Sequence, residues 1–257
     1  MPQPTLTTYL LICPILFLAG LIDSVAGGGG LISLPAYLLA GLPPHVATAT
    51  NKCSSTFGTM LATARYLRHG HLHKQSAALS VVCALTGSWL GARLNLWLPE
   101  SVLYWVLLGA LPVIAIVLLF KKELGNCDRT GNYSPRVLLL RVGVIALAIG
   151  CYDGFFGPGT GTFLMIALTG LCGFDLLTAS GNTKVINLSS NLAAFVTFAF
   201  SGNILWALGI PAALCNIAGN YVGSGLALTK GAKVIRPMFF VVLALLFGTV
   251  LWNLTGK

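Results

Sequence analysis

Four charged residues lie within otherwise apolar stretches of this chain: Asp23 and Lys52 in its first half, and Asp153 and Lys184 in its second. A charged side chain at the centre of a membrane-spanning helix costs at least about 2.5–3.5 kcal/mol, so each is expected to face an opposite charge or a water-filled cavity. Two interpretations are open. Either the aspartates and lysines pair only to hold the fold together, or at least one lysine is available to an anionic substrate. The residues around the lysines favour the second interpretation.

Glycine-rich breaks and small polar residues accompany these charges. A short apolar segment follows each break, so the unpaired N–H groups and the positive dipole end of that segment point at the break. Glycine also lets a ligand approach the backbone closely. Lysines, helix N-termini and neutral donors together suit a carboxylate, phosphate, sulfite or sulfonate. The predicted substrate-binding residues are Gly27, Gly28, Gly29, Gly30, Thr50, Asn51, Lys52, Gly157, Gly159, Thr160, Gly161, Asn182, Lys184 and Asn187. Asp23 and Asp153 are predicted to pair with the lysines or to carry protons.

Composition places these residues in a bilayer. Of the 257 residues, 56% are hydrophobic and 8% are charged, whereas an ordinary soluble domain has about 25% charged residues. This excludes a soluble globular protein. About eight to ten hydrophobic segments are expected, and apolar runs lie near residues 5–24, 30–42, 46–66, 75–98, 101–120, 136–152, 160–172, 180–201, 204–228 and 237–254. Two of them, 30–42 and 160–172, give only about 20 Å of helix and are too short to span.

The chain contains an internal repeat. Residues 20–27 align with residues 150–157, and residues 47–52 align with residues 179–184. Self-similarity of this kind marks a repeated structural unit. The predicted organisation is a first transmembrane repeat, a cytoplasmic linker and a second transmembrane repeat, at residues 1–121, 122–135 and 136–257.

Loop charges orient the two repeats in opposite senses. Basic residues follow the third segment of the first repeat but not of the second, and the loops after the fourth segments reverse this pattern. Because Lys and Arg concentrate in cytoplasmic loops, equivalent loops lie on opposite sides of the membrane. The predicted fold is an all-α polytopic membrane protein with two inverted-topology repeats, glycine-broken or re-entrant helices, and both termini outside. Secondary transporters share this architecture and bind substrate near the midplane, where rocking of one half against the other exposes it alternately.

The paired motifs resemble those of a known family. The segment IDSVAGGGGLISLPAYLLAGLPPHVATATNK, with DGFFGPGTGTF and ASGNTKVINLSSN in the second half, is similar to the TauE/SafE sulfite exporter family, also called TSUP, and to its YfcA-like branch. The resemblance covers nearly the full chain. It implies a multi-pass transporter in the bacterial inner membrane that exports small sulfur-containing anions such as sulfite or organosulfonates. The first break has four glycines where the second has Pro158 and Thr160, and the sequence leaves open which half dominates binding.

Other functions find little support in the sequence. The cysteines have no CxxC spacing, and the loop histidines His69, His71 and His73 have no carboxylate nearby in sequence, so neither a metal nor a cofactor is expected. No motif typical of an enzyme is present. The expected partners are a small anionic substrate and the lipid bilayer, without nucleic acid. The alternatives are an anion channel, an importer of another small organic anion and, less favoured, a membrane-embedded enzyme. The oligomeric state stays open.

Overall fold

The computed structural model describes residues 4–103, 128–231, 233–235 and 237, and within these ranges it contains helices and no strand. Most of the predicted segment near 101–120, most of the segment near 237–254 and the first part of the 122–135 linker lie outside the described residues. The other predicted apolar segments all coincide with helices.

The α-helices of the described ranges form two sets of four, and each helix of the first set has a counterpart of similar length in the second set. The first set is α1 (Leu6–Ala26), α2 (Gly30–Leu39), α3 (Pro44–Arg68) and α4 (Lys74–Trp97). The second set is α5 (Pro135–Phe155), α6 (Thr160–Leu171), α7 (Leu176–Phe200) and α8 (Trp206–Lys230). A one-turn 3-10 helix, Thr130–Asn132, precedes the second set.

The helices have the character of a membrane protein. Three of them, α1, α4 and α5, are long and apolar enough to cross a bilayer, and α2 and α6 are shorter apolar helices. Large apolar side chains face outward, among them Leu10, Leu140 and Leu214, each more than 60% exposed. Threonine, serine and asparagine are buried instead, mostly on α3 and α7. An apolar exterior around a polar interior suits a lipid environment, and it confirms the prediction of a helical membrane protein.

Helix contacts divide the described helices into two bodies. The first body consists of α1, α2, α3 and α8, and the second body consists of α4, α5, α6 and α7. Each body thus combines three consecutive helices of one half with the fourth helix of the other half. The bodies meet mainly where α3 packs against α7. Exchanging the two halves leaves this contact pattern unchanged, because α1 packs along α8 as α5 packs along α4.

Glycines set the close approach of helices within each body. A Cβ added at Gly87 or Gly91 on α4 would overlap the backbone of α5, and one added at Gly219 or Gly223 on α8 would overlap the backbone of α1. Small residues permit such contacts between membrane helices. These four repeat-related glycines therefore serve packing.

Replacing Gly91 by alanine is expected to destabilise the second body. Alanine favours a helix over glycine by about 1 kcal/mol, but its Cβ would fall on the Cys151 carbonyl oxygen, and overpacking typically costs about 1–3 kcal/mol. The Tm of purified protein should therefore fall. The matched control is Gly131→Ala, whose Cβ would meet nothing within 4 Å. Equal Tm values for the two variants would contradict the packing role.

Candidate functional site

The two glycine-rich breaks meet at the centre of the described structure. Helix α1 ends at Ala26, and Gly27 follows with a φ of 76°, while Gly157 has a φ of 94° and Gly159 a φ of 78°. Residues with side chains rarely adopt this left-handed region. Gly27 packs so closely on Gly161 that a Cβ on either residue would overlap the backbone of the other. The breaks that the sequence places 130 residues apart are therefore in direct contact.

Donors from neighbouring helices satisfy the carbonyl groups at the ends of α1 and α5. Thr162 Oγ1 donates to the Ala26 carbonyl at 3.2 Å, and Tyr66 Oη donates to the Ser24 carbonyl at 3.2 Å. Asn95 Nδ2 donates to the carbonyl of Phe155, the last residue of α5, at 2.7 Å. The last carbonyls of a helix have no partner within it, and irregular backbone is tolerated at membrane depth only where it is satisfied. These contacts hold both breaks in place.

Two buried ion pairs join the bodies beside the breaks. Lys52 Nζ on α3 lies 2.8 Å from Asp153 Oδ2 on α5, and Lys184 Nζ on α7 lies 3.0 Å from Asp23 Oδ2 on α1. Each pair joins a lysine of one half to an aspartate of the other. Lys184 also donates to the backbone carbonyl of Asp23. The exposed fraction is 2% or less for both lysines and for Asp153. Both lysines are therefore paired in this structure, as the clamp interpretation requires.

Further hydrogen bonds surround the Lys52–Asp153 pair. Lys52 Nζ donates to Asn191 Oδ1 at 2.9 Å, and Ser190 Oγ donates to Asp153 Oδ2 at 2.6 Å. An ammonium group carries three donors, and these contacts occupy two of those on Lys52. Asp153 Oδ1 accepts no hydrogen bond from the part of the chain that the structure describes. The pair therefore keeps capacity to bind a further group.

A small polar cavity lies between the two bodies, next to this pair. Its volume is about 20 Å³, which suits one water-sized group, since a water needs about 10–15 Å³. Only charged, amide, hydroxyl and glycine residues line it: Asp23, Gly27, Gly30, Asn51, Lys52, Ser55 and Thr59 from the first body, and Asp153, Gly157, Thr160, Gly161, Asn187 and Asn191 from the second. A larger anion would enter only if the bodies moved apart.

Asn51 has an unused side chain in this cavity. It is 4% exposed, and its amide oxygen Oδ1 is buried without a hydrogen-bond partner among the described residues. An unsatisfied buried polar group costs about 1–3 kcal/mol, and such groups are rare outside functional or strained sites. A water molecule or a protonated ligand can donate to this oxygen, and the amide nitrogen can donate to an oxygen atom of an anion. Asn51 thus marks the cavity as a place where a polar ligand would be stabilised.

The structure brings together ten of the predicted site residues and separates six from the cavity. Those that line it are Asp23, Gly27, Gly30, Asn51, Lys52, Asp153, Gly157, Thr160, Gly161 and Asn187. Those that do not are Gly28, Gly29, Thr50, Gly159, Asn182 and Lys184. The separated residues include both glycines next to the helix starts and the second lysine.

The separated residues have structural contacts instead. Thr50 Oγ1 accepts the Leu205 N–H at 3.1 Å, and Asn182 Nδ2 donates to the Thr178 carbonyl at 2.8 Å. Gly159 precedes α6 in a left-handed conformation. Lys184 is directed at Asp23. Repeat-related positions therefore have different roles in the two halves. One lysine lines the cavity rather than two.

Three residues that line the cavity are absent from the predicted set: Ser55, Thr59 and Asn191. Helical spacing could have found them. Ser55 and Thr59 lie three and seven positions after Lys52, on the same face of α3. Asn187 and Asn191 stand at the same distances from Lys184.

Comparison with known proteins gives the family. The sequence model described as Sulfite exporter TauE/SafE matches residues 12–250. A protein named "Probable membrane transporter protein ORF9" from Sinorhizobium sp is 41% identical over 226 residues, which cover 88% of this chain and 85% of that protein. "Probable membrane transporter protein YfcA" from Escherichia coli K12 is 36% identical over 241 residues, covering 93% and 88%. No solved structure gives a significant match. The family model spans most of the chain and these relatives exceed 30% identity, so the chain belongs to the sulfite exporter TauE/SafE family.

Proposed function

We propose that this protein is a secondary transporter that exports small sulfur-containing anions, such as sulfite or organosulfonates, across the bacterial inner membrane. The observation that carries the proposal is the polar cavity between the bodies, where Lys52 and the unpartnered amide of Asn51 stand side by side in sequence and both line the wall. A cation with neutral donors suits an oxyanion. The description of the family and the names of the relatives favour transport over catalysis and support the sulfur-containing substrate.

Transport would proceed by alternating access around this site. The sequence repeat, the loop charges and the symmetric helix contacts support two inverted repeats with both termini outside and a site near the midplane. The moving units differ from the sequence-based expectation of one half against the other, because α1 with α8 and α4 with α5 are each tightly packed across the halves. We assign the motion to the two bodies, which the ion pairs connect and the cavity separates.

Flux into proteoliposomes tests the proposal. Vesicles with the purified protein should take up labelled sulfite or a labelled alkanesulfonate at a rate that saturates as the anion concentration rises. Protein-free vesicles should not take them up. Either labelled anion should compete with the other for one site. Absence of flux for both anions would overturn the proposed function, and an unsaturable flux with measurable single-channel current would favour an anion channel.

Replacing Asn51 by alanine is expected to weaken anion binding without weakening the fold. A hydrogen bond to a charged group contributes about 1.5–3 kcal/mol, so KM should rise on the order of tenfold or more. Stability should change little, because the amide has no partner among the described residues. Asn182→Ala is the matched control: its amide bonds the Thr178 carbonyl away from the cavity, so Tm should fall while KM stays constant. If the two variants changed KM and Tm in the same way, the role of Asn51 in anion binding would be contradicted.

A further inference from the structure

We propose that Asp153 carries one proton with each anion, so that anion and proton cross the membrane together and export runs down the anion's own gradient, against a proton gradient that is acidic outside. The inference rests on the proposed transport function and names its coupling ion. It goes beyond a general pairing role for the aspartates, since it assigns the proton to one carboxylate and fixes the ratio.

Counted over the described residues, the net charge of the site is zero. Lys52, Lys184, Asp23 and Asp153 provide two positive and two negative charges in the interior. An entering monovalent anion would leave one negative charge uncompensated, and an uncompensated charge in a low-dielectric interior is strongly unfavourable. One proton taken up from water restores neutrality. The site can then change between its two exposures without moving net charge.

Position selects the carboxylate that takes the proton. An anion in the cavity reaches Lys52, which lines the cavity. It does not reach Lys184, which is not part of the cavity lining. The anion therefore competes with Asp153 for its lysine. Asp23 keeps Lys184, which donates to both its carboxylate and its backbone carbonyl. Asp153 is thus the carboxylate that loses its counter-ion when the site is loaded.

The surroundings of Asp153 fit both protonation states. Ser190 Oγ lies 2.6 Å from Asp153 Oδ2, and a hydroxyl can donate to a carboxylate or accept from a carboxylic acid. Asp153 Oδ1 accepts no hydrogen bond from a described residue. With a proton on Oδ1, Asp153 has a hydrogen-bond donor. This donor can bind the anion that has replaced Asp153 beside Lys52. Proton and anion then stabilise each other in the site.

Among the residues that the structure describes, few other charges face Asp153. Lys52 faces it from α3, and across the cavity stand Asp23 on α1 and its partner Lys184 on α7. The described helix α6 has no charged residue, and α2 has none. On α4, which packs along α5, Lys74 and Arg93 are exposed. The protonation of Asp153 therefore depends mainly on whether Lys52 is bound to it or to the anion.

Proton flux that accompanies transport of an alkanesulfonate tests the inference. A sulfonate stays a monoanion across the usable pH range, so any proton that moves with it is carried by the protein. An inward gradient of methanesulfonate should acidify the lumen of proteoliposomes that contain a pH-sensitive dye, by one proton per labelled anion. A pH gradient of one unit, alkaline inside, should drive about tenfold accumulation, the ratio that one-for-one coupling sets. A clamped membrane potential should not change the rate.

Asp153→Asn should uncouple the two fluxes. The exchange of labelled for unlabelled sulfonate that remains should lose its pH dependence, and accumulation should fall from about tenfold to onefold. The matched control is Asp175→Asn, because Asp175 caps α7 through its side chain outside the cavity and asparagine caps helices equally well. This control should keep full coupling. Retained coupling in Asp153→Asn would overturn the assignment.

The wild-type measurement decides the inference whether or not the variant folds. Sulfonate transport without lumen acidification would overturn the coupling and leave the proposed function standing. Transport of neither sulfite nor sulfonate would overturn the proposed function, and the inference would fall with it.

Discussion

Replacing Lys52 by glutamine is expected to slow anion transport strongly and to destabilise the protein at the same time. Removing one partner of a buried ion pair leaves the other charge uncompensated, which costs about 3–5 kcal/mol, and here that partner is Asp153. A lost hydrogen bond to the anion contributes about 1.5–3 kcal/mol more to substrate binding. Transport should fall on the order of 100-fold, and Tm should fall with it.

Neutralising both the lysine and the aspartate of one ion pair separates the effect on transport from the effect on stability. The double variant Lys52→Gln with Asp153→Asn leaves no unpaired buried charge, and neutral replacements of buried ion pairs are often tolerated. Its Tm should recover toward that of the wild type. Transport should not recover, because the cavity then has no cation for the anion. Proteoliposome flux and thermal unfolding in detergent measure the two quantities.

The second ion pair supplies the matched control. In the double variant Lys184→Gln with Asp23→Asn, the fold should recover as well. Transport should stay within about tenfold of the wild type, because Lys52 is retained and asparagine preserves the shape of Asp23 in the cavity lining. If both neutral doubles transport equally well, both pairs serve only to hold the fold together and the proposed anion site is wrong. If both fail equally, the assignment to Lys52 alone is wrong.

Much of the site could be predicted from the sequence because its parts carry local signals. Charges within apolar segments are costly, so Asp23 and Lys52 stand out, and a glycine cluster before a short apolar run indicates a broken helix. The repeat adds a second, independent instance of each signal. Helical spacing from Lys52 would have completed the face of α3 with Ser55 and Thr59.

The remainder depends on packing that no local signal reports. The partner of each lysine lies in the opposite half, more than 100 residues away in sequence, and nothing near Lys184 shows that it points at Asp23 rather than into the cavity. The grouping of α8 with α1 likewise follows from helix contacts across the chain. The repeat itself misleads here, since it predicts equal roles for Lys52 and Lys184, of which only Lys52 lines the cavity.

Gly27 and Gly161 are expected to be sensitive to substitution, because the two breaks touch at these glycines. An alanine at Gly161 would place its Cβ against the Gly27 backbone, and the overlap can be relieved only by moving the breaks apart. Because neighbouring donors hold both breaks, that movement would strain both bodies. The loss should reach or exceed the roughly 1–3 kcal/mol typical of overpacking.

An alanine at Gly27 should lose still more, because the residue combines this overlap with a φ of 76°, and the left-handed region costs a residue with a side chain about 1–2 kcal/mol. Gly41 isolates the backbone contribution, since its φ is 83° and a Cβ there would meet nothing within 4 Å. The expected order of Tm is therefore Gly41→Ala highest, Gly161→Ala lower and Gly27→Ala lowest, measured by thermal unfolding of the purified variants. A Gly27→Ala protein as stable as Gly41→Ala would mean that the breaks do not touch. The two helix ends would then be free to separate without strain, and Gly27 and Gly161 would no longer form a joint wall of the cavity.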